Sequence, residues 1–154
     1  MPRDKLKIVA PAAAGTGTIP YVLDEQVGFL LRVAMQRHTS IFTARMIEGL
    51  TQTQFAAMSK LYEVGACSQN HLGRLIFLDA ATIKGVVDRL GVRGFVTALA
   101  DPTDRRRRAV ALTERGREVT EAAMKVAAEI TAATLAPLTA DERRTVALLL
   151  KKLS

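Results

Sequence analysis

Apolar residues recur at helical spacing over most of residues 24–153 and change to short extended runs only around 95–112. Val27, Leu30, Leu31, Ala34, Met35, Ile41 and Phe42 advance in steps of three and four, which predicts a long helix from about residue 24 to Gly49. Thr51 and Gln54 then form a capping box, with Leu50 placed to staple onto Phe55. The helix they open carries Phe55, Met58, Leu61 and Tyr62 on one side and stops at Gly65. A short helix follows with Ser68 as N-cap and Leu72, Leu75 and Ile76 inward. Another opens at Asp79, with Leu78 set to staple onto Ile83. Ile83, Val86, Val87 and Leu90 are its buried stripe, and Gly94 suits a left-handed terminator.

Residues 95–99 and 109–112 read as two strands joined by a loop of Asp, Pro, Thr and Arg. Thr113 caps an Ala-rich helix running to about residue 135, before Pro137, with Val119, Ala122, Ala123, Val126, Ile130 and Ala133 inward. Thr139 and Glu142 form a second capping box, opening a helix with Val146, Leu149, Leu150 and Leu153 as its stripe. Three short helices followed by a hairpin make a winged helix-turn-helix. The fold class is mainly α with a small two- or three-stranded β-wing, held between long N- and C-terminal helices. The outer stripes exceed what the small central module covers, so a two-fold homodimer is expected. The organisation is one intertwined domain. Residues 1–20 form a flexible arm, 21–50 and 113–154 a helical dimerisation region, and 51–112 the DNA-binding region.

Composition narrows the partners. The 154 residues are 49% hydrophobic but only 5% aromatic, so aliphatic side chains must fill the core. No apolar run approaches the roughly 18 residues of a membrane span and no signal-peptide pattern opens the chain, which points to the cytoplasm and away from membranes. The single Cys67 excludes an internal disulfide and fits a reducing compartment. Residues 66–117 hold ten Lys and Arg against five Asp and Glu, whereas 118–154 balance five against five. That concentration is what a nucleic-acid reader shows. Enzyme chemistry has little to work with. There are two histidines, His38 and His71, with no metal-ligand spacing and no nucleophile elbow. Gly15-Thr16-Gly17-Thr18 lacks the strand and helix of a phosphate loop. No catalytic residue, metal or cofactor is expected.

Val86-Val87-Asp88-Arg89-Leu90, Gly94-Phe95-Val96, Asp101-Pro102-Thr103-Asp104-Arg105-Arg106, Leu112-Thr113 and Gly116 together resemble the signature of the MarR family of bacterial transcription regulators. The Leu50-Thr51-Gln54-Phe55 entry fits it too. The resemblance covers residues 24–153 in element order and is sharpest over 82–116. It implies a homodimer on palindromic double-stranded DNA, usually a repressor released by a small, often aromatic, acidic ligand or by oxidation.

In the helix opened by Asp79, small Ala80, Ala81 and Gly85 allow close approach to a groove floor. Ala81 is a candidate for a thymine methyl, Thr82 for a base-edge hydrogen bond, and Lys84 and Arg89 for phosphates. Ser68, Gln69 and Asn70 open the preceding helix and are phosphate candidates. In the wing, the resemblance pairs Asp104 with Arg106, the carboxylate bracing an arginine that enters the minor groove. Arg105 and Arg107 are placed on flanking phosphates.

A ligand cleft is expected between the first, second and long Ala-rich helices. Its candidates are Phe29, Arg32, Met35, His38 and Phe42 on the first helix, with Met58 and Tyr62 facing them. Apolar walls with one or two cationic groups suit an aromatic carboxylate. The stretch 21–32 is similar to a subset of the family tied to aromatic catabolism, which brings in coenzyme A thioesters as well as free acids. His38 as a structural hydrogen-bonder and the Met/Phe stripe as plain core stay open beside this. Two alternatives remain: a redox switch at Cys67, seated before the helix at Ser68, and an architectural protein that binds DNA by charge alone.

Overall fold

The computed structural model describes residues 19–101 and 103–154. The expected arm over 1–20 lies almost wholly outside the described residues. The chain divides into two units, Met1–Ala34 and Met35–Ser154. In the first, a single 3-10 turn, Leu23–Glu25, precedes the opening turns of α1 (Val27–Arg45). Gln26 is extended, and its Nε2 donates back to Val22 O at 2.9 Å, so the α-helix starts three residues later than the apolar pattern predicts.

In the second unit, α1 ends at Arg45 rather than near Gly49. Glu48 and Gly49 take left-handed φ of 55° and 58°, which breaks the helix while Met46 and Leu50 still reach the core. The helix α2 (Gln52–Val64) has the predicted capping box: Thr51 Oγ1 accepts from Gln54 N and Gln54 Oε1 accepts from Thr51 N. A two-residue strand β1 (Cys67–Ser68), α3 (Gln69–Leu75) and α4 (Ala80–Val92) follow. Ser68 Oγ caps α3 through His71 N, and Asp79 Oδ1 caps α4 through Thr82 N. At the end of α3, Phe77 adopts φ 58° and is 84% exposed. Leu78 N closes onto Gly73 O and Phe77 N onto Arg74 O, so Phe77 fills a left-handed position that usually belongs to glycine.

The wing has three strands. β2 (Val96–Ala100) and β3 (Arg108–Leu112) pair antiparallel from Val96↔Leu112 to Ala100↔Arg108. β1 adds to the other edge of β3 through Cys67↔Val110 and Ser68↔Ala109, giving the order β1-β3-β2. Cys67, seated before α3, is therefore a strand residue.

The wing is locked to α5 (Glu114–Thr134) at one joint. Thr113 N and Oγ1 donate to Phe95 O and Gly94 O at 3.0 and 2.6 Å, while Thr113 Oγ1 accepts from Gly116 N. Gly94 has φ 76°, the predicted left-handed terminator of α4. Phe95 O lies where a Cβ on residue 116 would stand 1.9 Å away, so only glycine fits there.

The core joins Phe42 to Met58 and Leu61 of α2, Leu72 of α3, and Ile83, Val86 and Leu90 of α4. Phe95 and Val110 of the wing base and Ala123 and Ile130 of α5 complete it. Ala122, expected inward, is exposed, while Thr120 is buried with its hydroxyl donating to Gly116 O at 2.6 Å. No residue of α6 (Ala140–Leu153) is buried, and Leu148, Leu149, Leu150 and Leu153 face outward. No helix among the described residues is long and apolar enough to cross a membrane.

Candidate functional site

α4 buries Ile83, Val86 and Leu90 and turns Ala80, Ala81, Thr82, Lys84 and Arg89 outward. The cap gives Thr82 a defined hydrogen-bonding sense. Its hydroxyl donates to Asp79 Oδ2 at 2.8 Å, so toward a base edge it can only accept. The same bonds from Thr82 hold the Asp79 carboxyl below the usual carboxylate range. Lys84 Nζ sits 2.6 Å from Asp88 Oδ2, which tempers its charge on this face. Gly85 leaves the room through which the Arg89 guanidinium folds back along the helix.

At the wing tip, Asp101 Oδ1 accepts from Thr103 N and Oγ1 at 2.8 and 2.7 Å, and these bonds lower the Asp101 pKa. Asp101 N donates to Arg107 O, and Arg107 N donates to Asp104 O, which closes the turn. Asp104 Oδ1 accepts from the backbone N of Arg106 at 3.0 Å, while its Oδ2 lies 3.6 Å from Arg107 Nε. This corrects the expected Asp104–Arg106 ion pair: Asp104 holds Arg106 by its main chain and pairs its charge with Arg107. Arg105, Arg106 and Arg108 are exposed, with no acidic partner among the described residues.

Ser68, Gln69 and Asn70 come together with Arg107 in one polar cleft of about 540 Å³, which Arg74 and Arg108 complete. The start of α3 and the base of the wing thus share one cationic cleft.

A second, apolar cleft of about 270 Å³ lies against α5. His38, Phe42, Gln52 and Phe55 wall it, with Ala127, Ile130 and Thr131 behind. His38 Nδ1 is 2.9 Å from Thr134 Oγ1, and the Phe42 ring centroid is 6.2 Å from those of both His38 and Phe55. Where Thr134 donates to Nδ1, Nε2 carries the ring proton and can donate to an anion.

The MarR family model matches residues 50–107. The chain is 39% identical over 148 residues to the HTH-type transcriptional repressor NicR of Pseudomonas putida, covering 96% of this chain and 94% of that one. This chain belongs to the MarR family. Among solved structures it resembles a probable transcriptional regulator from Pseudomonas aeruginosa, with TM-score 0.83 and 49% identity over 86% of this chain and all of that one. It also resembles Bordetella bronchiseptica BpsR, whose DNA binding is regulated by 6-hydroxynicotinic acid, with TM-score 0.82 and 39% identity over 87% of this chain and 96% of that one. The protein is a MarR-type transcriptional regulator with a winged-helix fold, and the relatives it matches are regulators and not enzymes.

In this MarR protein the expected ligand residues separate. His38 and Phe42 wall the apolar cleft. Met58 is fully buried in the core, and Met35 is exposed and off the cleft wall. Tyr62 turns to α5 instead. Its hydroxyl donates to Glu121 Oε1 at 2.9 Å, which raises the phenol pKa, and Arg117 stacks 5.1 Å from its ring centroid. Phe29 and Arg32 belong to the first unit, where the Arg32 guanidinium lies 5.2 Å from the Phe29 ring.

Sequence reasoning missed Gln52, Phe55 and Thr131 on the cleft wall, and Arg74 and Arg108 at the cationic cleft. Asn70 and Arg74 stand one turn apart on α3, and Arg108 ends the four-arginine run, so that pair was open to detection. Burial, then the charge of Asp101, pushes the Cys67 thiol up, the opposite of what a reactive thiolate needs.

Proposed function

We propose that this regulator is a homodimeric repressor that grips a palindromic operator with α4 and the wing and releases it when a single-ring aromatic acid enters the cleft beside His38. The observation that carries the reading is the cleft itself: two phenylalanine rings, a histidine oriented by Thr134, and hydroxyl and amide groups at the rim. Such walls suit a flat ring bearing a carboxylate. NicR is a repressor and BpsR answers to 6-hydroxynicotinic acid, which supports both halves of the reading. A cleft of about 270 Å³ favours the free acid over a coenzyme A thioester, most of which would have to lie outside. The outward leucines of α6 supply an apolar face for a second copy.

In this reading α4 lies in the major groove, with Ala80, Ala81 and Thr82 at base edges and Lys84 and Arg89 on phosphates. Ser68, Gln69 and Asn70 hold the backbone together with Arg107 and Arg105, while Arg106 enters the minor groove. The raised thiol pKa of Cys67 disfavours the redox alternative.

Thermal unfolding of the full chain tests the effector. An acid at a hundred times its Kd stabilises by about 2.7 kcal/mol, roughly 5–10 °C for a chain of this size. His38→Ala is expected to weaken that acid about tenfold. No shift with any single-ring aromatic acid would contradict the reading.

A further inference from the structure

We propose that Gln52 sets the upper size limit of the effector, as the movable half of a partition between two adjoining clefts. The inference rests on the effector reading above. Beyond the cleft beside His38 lies another of about 430 Å³, walled by Thr39, Thr43, Met46 and Leu50. Phe42 and Gln52 line both.

The two halves of the partition differ in how firmly they are held. Phe42 is 5% exposed, belongs to the core, and is flanked by the rings of His38 and Phe55. Moving it means opening the core. Gln52 is half-buried at the first position of α2. Its one side-chain hydrogen bond among the described residues runs from Nε2 to Thr39 Oγ1, at 2.9 Å. The capping box that starts α2 uses Thr51 and Gln54, so rotating the Gln52 side chain leaves the helix start intact. Water can satisfy both groups once they part.

With Gln52 latched to Thr39, the effector space is the cleft of about 270 Å³ beside His38 alone. With Gln52 turned aside, the two clefts join and admit a second fused ring. The latched amide also keeps its oxygen and one N–H without a protein partner among the described residues, free to meet a polar ring substituent.

The test is calorimetric titration of the full chain with 6-hydroxynicotinic acid and with naphthoic acid, for the wild type, Gln52→Ala and Thr39→Val. The wild type is expected to prefer the single ring by about tenfold or more, and Gln52→Ala to move that ratio about tenfold toward the double ring. Thr39→Val, which releases the latch but keeps Gln52, is expected to move it the same way by a few fold, and it decides the matter if Gln52→Ala does not fold. Wild-type ratios in variants that still bind the single ring would overturn the partition while leaving the effector reading intact. A wild type that binds both acids equally well would do the same. A wild type that binds neither 6-hydroxynicotinic acid nor any related single-ring acid would overturn the effector reading, and this inference with it.

Discussion

Arg106→Ala is expected to weaken operator binding about a hundredfold at fixed salt, while α-helix content and self-association stay as in the wild type. The magnitude follows from symmetry. Losing one guanidinium seated in a narrow groove costs about 1.4 kcal/mol, a factor of ten, and two half-sites multiply it. Selectivity among the four arginines follows from the wing tip. Asp101 is engaged by Thr103, and Asp104 by the Arg106 amide and the Arg107 side chain. Alanine at 106 keeps the amide that Asp104 holds, so the loop keeps its shape and only the groove contact is lost. Arg107→Ala removes a charge already partly compensated by Asp104, and its effect is expected to be smaller. Fluorescence anisotropy on a labelled operator duplex measures both. A change below about threefold for Arg106→Ala, or a larger loss for Arg107→Ala, would contradict the assignment.

Gly116→Ala is expected to cost about 3 kcal/mol or more, at or beyond the upper end of ordinary overpacking. The added Cβ would stand 1.9 Å from Phe95 O, 2.8 Å from its carbonyl carbon and 3.1 Å from its Cα. These are backbone atoms, with no flexible side-chain end to give way. Phe95 O also accepts from Thr113 N, and the Phe95 ring is fully buried. Relief therefore means prising the base of β2 away from the start of α5. At fixed protein concentration the melting temperature should fall by roughly 10 °C. A fall of less than about 2 °C would show that the joint yields more easily than its geometry implies.

The elements with a chemical start signal are legible in the sequence. Thr51/Gln54, Ser68, Asp79, Thr113 and Thr139/Glu142 all cap as their spacing indicates. What escaped lacks a local signal. The end of α1 hides because Met46, Ile47 and Leu50 continue the apolar rhythm past the point where Glu48 and Gly49 turn left-handed. β1 is two residues long and exists only through its bonds to β3. Thr120 reads as a surface residue, yet its hydroxyl is satisfied within the helix and so can be buried where Ala122 was expected.

The wing arginines were plain as a run of like charge, but the partner of Asp104 was not. Arg106 and Arg107 lie two and three residues away, and only the turn geometry separates a main-chain contact from a side-chain one. The cleft was harder still. His38 and Phe42 fall on the α1 stripe, whereas Gln52 reaches it from the start of α2 and Thr131 from α5, a tertiary meeting that no one-dimensional period encodes.

Ligand control of paired DNA grips is tested most directly by anisotropy of an operator duplex, selected from a random pool and saturated with the full chain at physiological salt. The complex is titrated with 6-hydroxynicotinic acid and related single-ring acids. Saturable release of the duplex by at least one of them, lost or shifted in His38→Ala, is the predicted result. A complex that stays fully bound while the same acid demonstrably occupies the protein would contradict it.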